Sequence, residues 1–190
     1  MPTSPPEYRL TTRDAWLVRP SLELCAPLRR ALLDSYAEHA PFLDWVTPQV
    51  SAEQVLRSLR GAIANYAAPL AEKRLFLVSA DRAEVIGCIG LQPRGRGDSY
   101  VIGYWANSRF AGQGYLSAAL RDLCTQLPRA TLYLTTSSAN TRSQRLAEAA
   151  GFRLIRSLRG VREDAWHGLQ DTLIYRRDVA RAENGNSPRA

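Results

Sequence analysis

The chain has 190 residues, 45% hydrophobic and 23% charged, a balance that suits one ordered domain and excludes a disordered or low-complexity protein. Its 25 Lys and Arg against 18 Asp and Glu give a net charge of +7, carried almost wholly by arginine because Lys73 is the only lysine. The arginines are scattered, so a solvated basic surface fits as well as an anionic partner, and a nucleic-acid partner is not favoured.

Residues 1–8 are Pro-rich and read as a flexible N-terminus. Residues 10–19 read as a first strand ended by Pro20. Ser21 is an N-cap for a helix running to about Glu38, with Leu24, Leu28, Leu32 and Leu33 at helical spacing. Pro41 and Pro48 frame a loop that carries Asp44 and Trp45. Ser51 caps a second helix through about Ala67, with Val55, Leu59 and Ile63 on one face. Residues 74–80 and 85–91, joined by a polar turn, read as a hairpin. The segment P-R-G-R-G-D is a turn before a strand over 99–105. A helix follows from about Gly114 to Leu127, stopped by Pro128, and residues 131–136 alternate as a strand. Asn140 opens a short helix that ends near Gly151, a natural left-handed terminator.

Residues 152–158 and 169–176 close the order as two strands, with Glu163, Asp164, Trp166 and His167 in the loop between them. Residues 180–190 read as a disordered tail. Neither a repeat nor a linker interrupts the chain. The order β-α-α-β-β-β-α-β-α-β-β predicts one α/β (α+β) domain over residues 9–179, with about seven strands and about four helices. No apolar run approaches the roughly 20 residues that cross a bilayer, and the start M-P-T-S-P-P has neither region of a secretory signal. The expected compartment is the cytoplasm. Cys25, Cys88 and Cys124 form no C-x-x-C pair and read as reduced, mostly buried thiols. With only His39 and His167 beside them, no metal site is expected.

The most informative segment is R-F-A-G-Q-G over residues 109–114, placed where a strand meets a helix. Two glycines there let backbone N–H groups crowd together at a helix N-terminus, a ready diphosphate site. A P-loop would need Lys and Ser/Thr after the last glycine, where Tyr115 and Leu116 stand. A dinucleotide fingerprint would need a third glycine where Ser117 stands, and an acid about 20 residues on.

The pattern R-x-x-G-x-G resembles the acetyl-CoA loop of the GNAT superfamily of N-acetyltransferases. The flanks extend the resemblance. Y-V-I-G-Y-W-A-N before the loop is similar to the family's splayed central strand. Y-L-S-A-A-L-R-D-L after it resembles the helix that receives the pyrophosphate. S-S-A-N-T-R-S-Q-R-L-A-E-A-A-G-F, residues 137–152, resembles the family's strand-end Asn, short helix and G-F turn. I-G-Y-W, the loop with Asp44 and Trp45, and Q-D-T-L-I-Y resemble the RimJ/RimL branch, RimL-like members in particular.

The resemblance implies a single GNAT-like domain with a mixed, mostly antiparallel central sheet whose splayed strands bind the cofactor. It implies acetyl-CoA as co-substrate, no metal, and transfer of the acetyl group to a primary amine, most naturally a protein or peptide N-terminus, in a ternary complex. A small amine such as a polyamine, amino acid or antibiotic is the alternative acceptor. A non-catalytic CoA- or nucleic-acid-binding module is the alternative of another class. Homodimers are common in that branch, although no apolar stripe here marks an interface.

Acetyl transfer needs a neutral amine, a hydrogen-bond donor for the negative charge that develops on the carbonyl oxygen, and a proton for the departing thiolate. For the oxyanion, a backbone N–H within Tyr104, Trp105 and Ala106 is the candidate, since a splayed strand end leaves donors unpaired. The pyrophosphate would take N–H groups of Phe110, Gly112, Gln113, Gly114 and Tyr115, with Arg109 adding charge or lying on the surface. Asn140 would hydrogen-bond the pantetheine amide, cap the short helix, or both. By resemblance, Ser143 meets the thiol as general acid in place of the tyrosine that many relatives carry on that helix, and Glu163 is the base. Asp164 is the neighbour most easily confused with Glu163, and His167 could also serve as base, although a lone loop histidine is more often structural. Asp44, Trp45 and Trp166 line the acceptor groove, unless the tryptophans pack on the core.

Overall fold

In the computed structural model, residues 7–95 and 98–177 are described. Most of the expected flexible N-terminus (residues 1–6) and all of the expected tail (residues 180–190) lie outside them.

The first expected strand is in fact two short ones, β1 (Tyr8–Arg9) and β2 (Ala15–Val18), so Tyr8 is already part of the sheet. The polar run between them folds back because it has partners. Leu10 N–H donates to the Ala15 carbonyl at 2.9 Å, and both the backbone N–H and the hydroxyl of Thr11 donate to the Asp122 carboxylate at 2.8 Å.

The first expected helix is also divided. A 3₁₀ turn (Leu22–Leu24) leads into α1 (Cys25–Asp34), and α2 (Tyr36–His39) follows after a break at Ser35. The break has a cause. Ser35, fully buried, accepts the N–H of Ser108 at 2.9 Å, and the Asp34 carbonyl accepts the Ser108 hydroxyl at 3.0 Å. These bonds tie the helix pair to the segment that leads into the glycine loop. Next comes α3 (Ala52–Asn65), opened by a reciprocal capping box between Ser51 and Gln54 that is worth about 1 kcal/mol.

The remaining elements are β3 (Lys73–Ser79), β4 (Val85–Pro93), β5 (Ser99–Ala106), a 3₁₀ turn (Ser108–Phe110), α4 (Tyr115–Gln126), β6 (Thr131–Ser137), α5 (Thr141–Ala149), β7 (Arg153–Asp164) and β8 (Gly168–Arg177). Eight strands form one sheet in the order β1-β2-β3-β4-β5-β6-β8-β7. Every neighbouring pair is antiparallel except β5 with β6.

Alternate residues of the central strands are buried on opposite faces, as in a sheet covered on both sides. Leu75, Leu77, Ile89, Ile102 and Leu134 pack with Leu116, Leu120 and Leu123 of α4 and Ala147 of α5. Phe76, Val78 and Cys88 pack with Leu28 and Ala31 of α1 and Val55 and Leu59 of α3. Burial pushes the Cys88 thiol up to about 12, so it serves as a small apolar side chain. Among the described residues no helix is long and apolar enough to cross a membrane, and no group of His, Cys, Asp and Glu could hold a metal ion.

Candidate active site

The sheet opens where its parallel pair stops. The β5–β6 register runs from Ser99↔Thr131 only to Ile102↔Leu134. Beyond that point β5 stays paired with β4 through Ala106, and β6 stays paired with β8 through Ser137. The last four residues of β5 thus border a gap.

Strand alternation decides which of them address it. Asn107 N–H donates to the Ile86 carbonyl at 2.8 Å. Odd-numbered residues of β5 therefore point their backbone groups at β4, and even-numbered ones point them toward β6. A Cβ built on Gly87 of β4 would lie 2.6 Å from the Trp105 carbonyl, in agreement. Trp105 thus differs from the sequence expectation. Its N–H belongs to the β4 ladder, and its ring packs on the α1–α3 side. The open backbone donors are those of Tyr104 and Ala106.

The Ala106 carbonyl is occupied by His39, whose Nε2 lies 2.9 Å away. A carbonyl can only accept, so Nε2 carries the proton. Burial holds the imidazole below its ordinary pKa, against the smaller opposing effects of Ala106 and Glu38. His39 also meets Trp105 edge-on, with ring centroids 5.7 Å apart. Sequence reasoning weighed His39 only as a metal ligand. Its place depends on the break at Ser35, which carries no periodicity signal.

From the end of β5 the chain turns through Asn107, fully buried, whose side chain donates to the Val85 carbonyl at 2.9 Å and accepts the Arg109 N–H at 3.1 Å. The loop that follows uses some of its own donors. Phe110 N–H goes to the Asn107 carbonyl at 3.0 Å, and Gln113 N–H to the Phe110 carbonyl at 3.4 Å. These two expected pyrophosphate donors are therefore spoken for. Phe110 instead sets its ring edge-on to Tyr115 at 6.1 Å. The N–H groups of Gly112, Gly114, Tyr115 and Leu116 have no acceptor among the described residues. Gly112 and Gly114 take φ of +77° and +80°, the left-handed region that a side chain resists. Gly114 is the N-cap of α4 and offers no side-chain cap, and no acidic residue stands in the helix's first turn. Its end is left electropositive and open, which fits a diphosphate. Arg109 does not face it alone, because its guanidinium pairs with Glu84 at 3.6 Å.

Across the gap, α5 begins at its N-cap Asn140, whose side-chain oxygen accepts the Ser143 N–H at 3.0 Å. The capping role is therefore present. Ser143 is brought directly to β5. Its Oγ lies 2.7 Å from the Tyr104 hydroxyl, which is also 3.1 Å from the Ser143 carbonyl. A phenol from β5 thus stands against α5, which carries no tyrosine of its own, whereas sequence reasoning had named only the Tyr104 backbone. Burial pushes the phenol up to about 12, the bond with Ser143 pulling the other way.

The last hairpin differs from the loop expected between residues 158 and 169. β7 continues to Asp164, crossing register shifts after Leu154 and Leu158, and Glu163 pairs with Leu169 across the hairpin. By alternation on β8, Leu169 shares a face with Leu173 and Tyr175, which pack in the core beneath α4 and α5. Glu163 lies on that face, exposed, without a hydrogen bond or ion pair among the described residues.

Asp164, on the opposite face, is fully engaged. It accepts the Gln170 amide at 2.6 Å and the N–H groups of Trp166 and His167 at 2.9 and 2.7 Å. The Gln170 bond first, then the two backbone donors, hold its carboxyl down to about 2. Asp164 therefore builds the turn, and Gln170 also bonds the buried Ser137 at the end of β6.

His167 stacks on Phe42 at 5.1 Å, and Arg162 donates to the Phe42 carbonyl at 3.0 Å. These contacts join the Asp44–Trp45 loop to the hairpin. Trp45 and Trp166 are 53% and 64% exposed, so neither packs in the core. Asp44 is exposed as well.

Comparison with known proteins gives the family and the fold. The family model described as an acetyltransferase (GNAT) domain matches residues 23–153. No curated protein sequence matches. Among solved structures, the RimL ribosomal L7/L12 alpha-N-protein acetyltransferase in complex with coenzyme A is 21% identical. Its TM-score is 0.80, and the match covers 92% of this chain and 98% of that one. The microcin C7 self-immunity acetyltransferase MccE, in complex with acetyl-CoA and AMP, is 16% identical with a TM-score of 0.78, covering 88% and 94%. RimJ of Mycobacterium smegmatis in complex with CoA-disulfide is 19% identical with a TM-score of 0.75, covering 90% and 85%.

Proposed function

The chain belongs to the GNAT family of acetyltransferases, and on that premise we propose that it acetylates the N-terminal α-amine of a protein or peptide, by direct attack within a ternary complex. Acetyl-CoA supplies the activated acyl group. The observation that carries the reading is the open end of β5, with its free donors on one side and the Ser143–Tyr104 pair on the other.

The backbone N–H groups of Tyr104 and Ala106 are positioned to stabilise negative charge on the carbonyl oxygen, one donor of this kind being worth on the order of 100-fold in turnover. His39 holds the Ala106 carbonyl and so fixes the peptide that follows it, whose Asn107 N–H bonds Ile86, at the end of the strand. The Tyr104 hydroxyl has one proton, and turning it from the Ser143 carbonyl to Ser143 Oγ frees the serine proton for the sulfur as the thiolate departs. Neither hydroxyl ionises at neutral pH, so the pair works by hydrogen bonding in sequence. Glu163, free and on the α5 face, takes the proton of the attacking amine directly or through water. Asn140 offers the rest of its amide to the pantetheine chain. The exposed Asp44, Trp45 and Trp166 suit an extended acceptor, because aromatic surface on loops binds peptides without burying them.

A second reading is a small amine as acceptor, set beside the first because the microcin C7 self-immunity acetyltransferase is in complex with a small molecule, AMP, as well as acetyl-CoA. Incubation with acetyl-CoA, a panel of peptides with free N-termini, and polyamine, amino-acid and aminoacyl-nucleotide mixtures, followed by mass spectrometry, separates the two. Acetylated peptide N-termini support the proposal. Untouched peptides beside a turned-over small amine would overturn it. A cytoplasmic homodimer is the accompanying expectation, and light scattering after size exclusion tests the dimer.

A further inference from the structure

A side chain outside the glycine motif reaches the same loop. This inference rests on the assignment of that loop to the diphosphate of the co-substrate. The β1–β2 turn carries Arg13 to the start of α4, 100 residues away in sequence, where its Nε donates to the Gln113 carbonyl at 3.2 Å. Its Nη1 donates to the Thr12 carbonyl at 3.1 Å. Its Nη2 has no acceptor among the described residues, and a Cβ built on Gly114 would lie 3.0 Å from it. The guanidinium therefore rests beside the N-cap of α4.

This position is built. Thr11 grips Asp122 of α4 itself through two hydrogen bonds of 2.8 Å, which anchor the turn to the helix. The nearest acid in sequence, Asp14, is taken by Arg9 at 2.7 Å. No carboxylate pairs with Arg13 among the described residues, whereas Arg109, the arginine of the motif, is occupied by Glu84. A cation at a helix N-terminus faces the positive end of the macrodipole, an unfavourable arrangement that an anion between them reverses. The first turn of α4 supplies no acidic side chain to do this.

We propose that Arg13 pairs with the diphosphate of the bound co-substrate through Nη2, adding a charged side-chain contact to the backbone donors of Gly112, Gly114, Tyr115 and Leu116. Arg13 is exposed, so Arg13→Ala and Arg13→Lys should both fold, which thermal melting verifies.

Calorimetry of the wild type and both variants with CoA and with 3′-dephospho-CoA gives the test. Arg13→Ala should weaken both ligands alike, by about tenfold, as befits a partly screened charge-assisted bond. Arg13→Lys should recover part of the loss, and the difference should shrink at about 1 M salt. An Arg13→Ala affinity within about twofold of the wild type overturns the proposal, as does a loss confined to CoA, which would move the contact to the 3′-phosphate. A wild type that binds neither ligand would bring down the loop assignment itself, and Arg13 with it.

Discussion

Removing one oxygen from β5 tests the chemistry. Tyr104→Phe keeps the ring, which packs against the α4–α5 core, and deletes the hydroxyl that stands 2.7 Å from Ser143 Oγ and 3.1 Å from its carbonyl. Two half-buried, neutral hydrogen bonds contribute about 1–2 kcal/mol to stability, a fall in Tm of about 2–8 °C for a chain of this size. Turnover should fall further than that cost implies, because Ser143 loses the donor that frees its own proton. A hydrogen bond lost only as the thiolate leaves corresponds to about 10- to 100-fold in kcat, or about 1.4–2.7 kcal/mol. Ser143→Ala should fall by a similar factor.

Since the two hydroxyls act in series, the double variant should be no slower than the slower single one. The assay is thiol release at saturating acetyl-CoA and saturating acceptor, with CoA affinity measured separately and expected to hold. The phenol sits near 12, so the kcat profile should show no tyrosine limb below pH 10. Losses that multiply in the double variant, or a Tyr104→Phe enzyme at wild-type kcat, would refute the series arrangement.

Glu163→Gln should leave CoA affinity intact and lower kcat by about 100-fold or more, with the rate partly recovering at high pH where the free amine is already neutral; unchanged turnover would remove Glu163 from the base role. Gly114→Ala places a side chain at φ +80° and 3.0 Å from Arg13, costing about 1–2 kcal/mol of strain, so calorimetry should show weaker CoA binding, and equal binding would mean that the loop relaxes freely. Asp164 contributes a pH dependence of definite sign. Its folded carboxyl titrates near 2 instead of 3.8, so its stabilisation of the hairpin turn is fully present above pH 3.8 and is lost as pH falls toward 2. Amide exchange of Trp166 and His167 should accelerate over that window relative to neighbouring strand amides, and Asp164→Asn should abolish the transition. A turn equally protected at both ends of the window would contradict this account.

What the sequence made legible follows from what local signals encode. The α4 helix, the β3–β4 hairpin, the capping residues Ser51 and Asn140 and the glycines at 112, 114 and 151 all declare themselves within a few residues, and the structure has each in place. The split of the first strand and the break at Ser35 were invisible for one reason. Each depends on a partner far along the chain, Asp122 for Thr11 and Ser108 for Ser35. Residue type also says nothing about strand parity. Tyr104, Trp105 and Ala106 were equivalent as oxyanion donors until Asn107 was seen to bond Ile86, which turns Trp105 toward β4 and leaves its neighbours facing the gap.

The same long-range logic explains why the side chains around the cofactor loop were the hardest to read. A motif such as R-x-x-G-x-G encodes backbone shape, and shape is local. The charge that accompanies it need not be. Arg109 stands inside the motif yet answers to Glu84, while Arg13, in a turn with no motif at all, answers to the loop. An arginine's role is decided by which carboxylates reach it first. Asp14 and Glu84 are already committed to Arg9, Arg30 and Arg109, so among the described residues the cation at the head of α4 that no carboxylate neutralises is Arg13, which on the proposed assignment of the loop meets the incoming phosphate there.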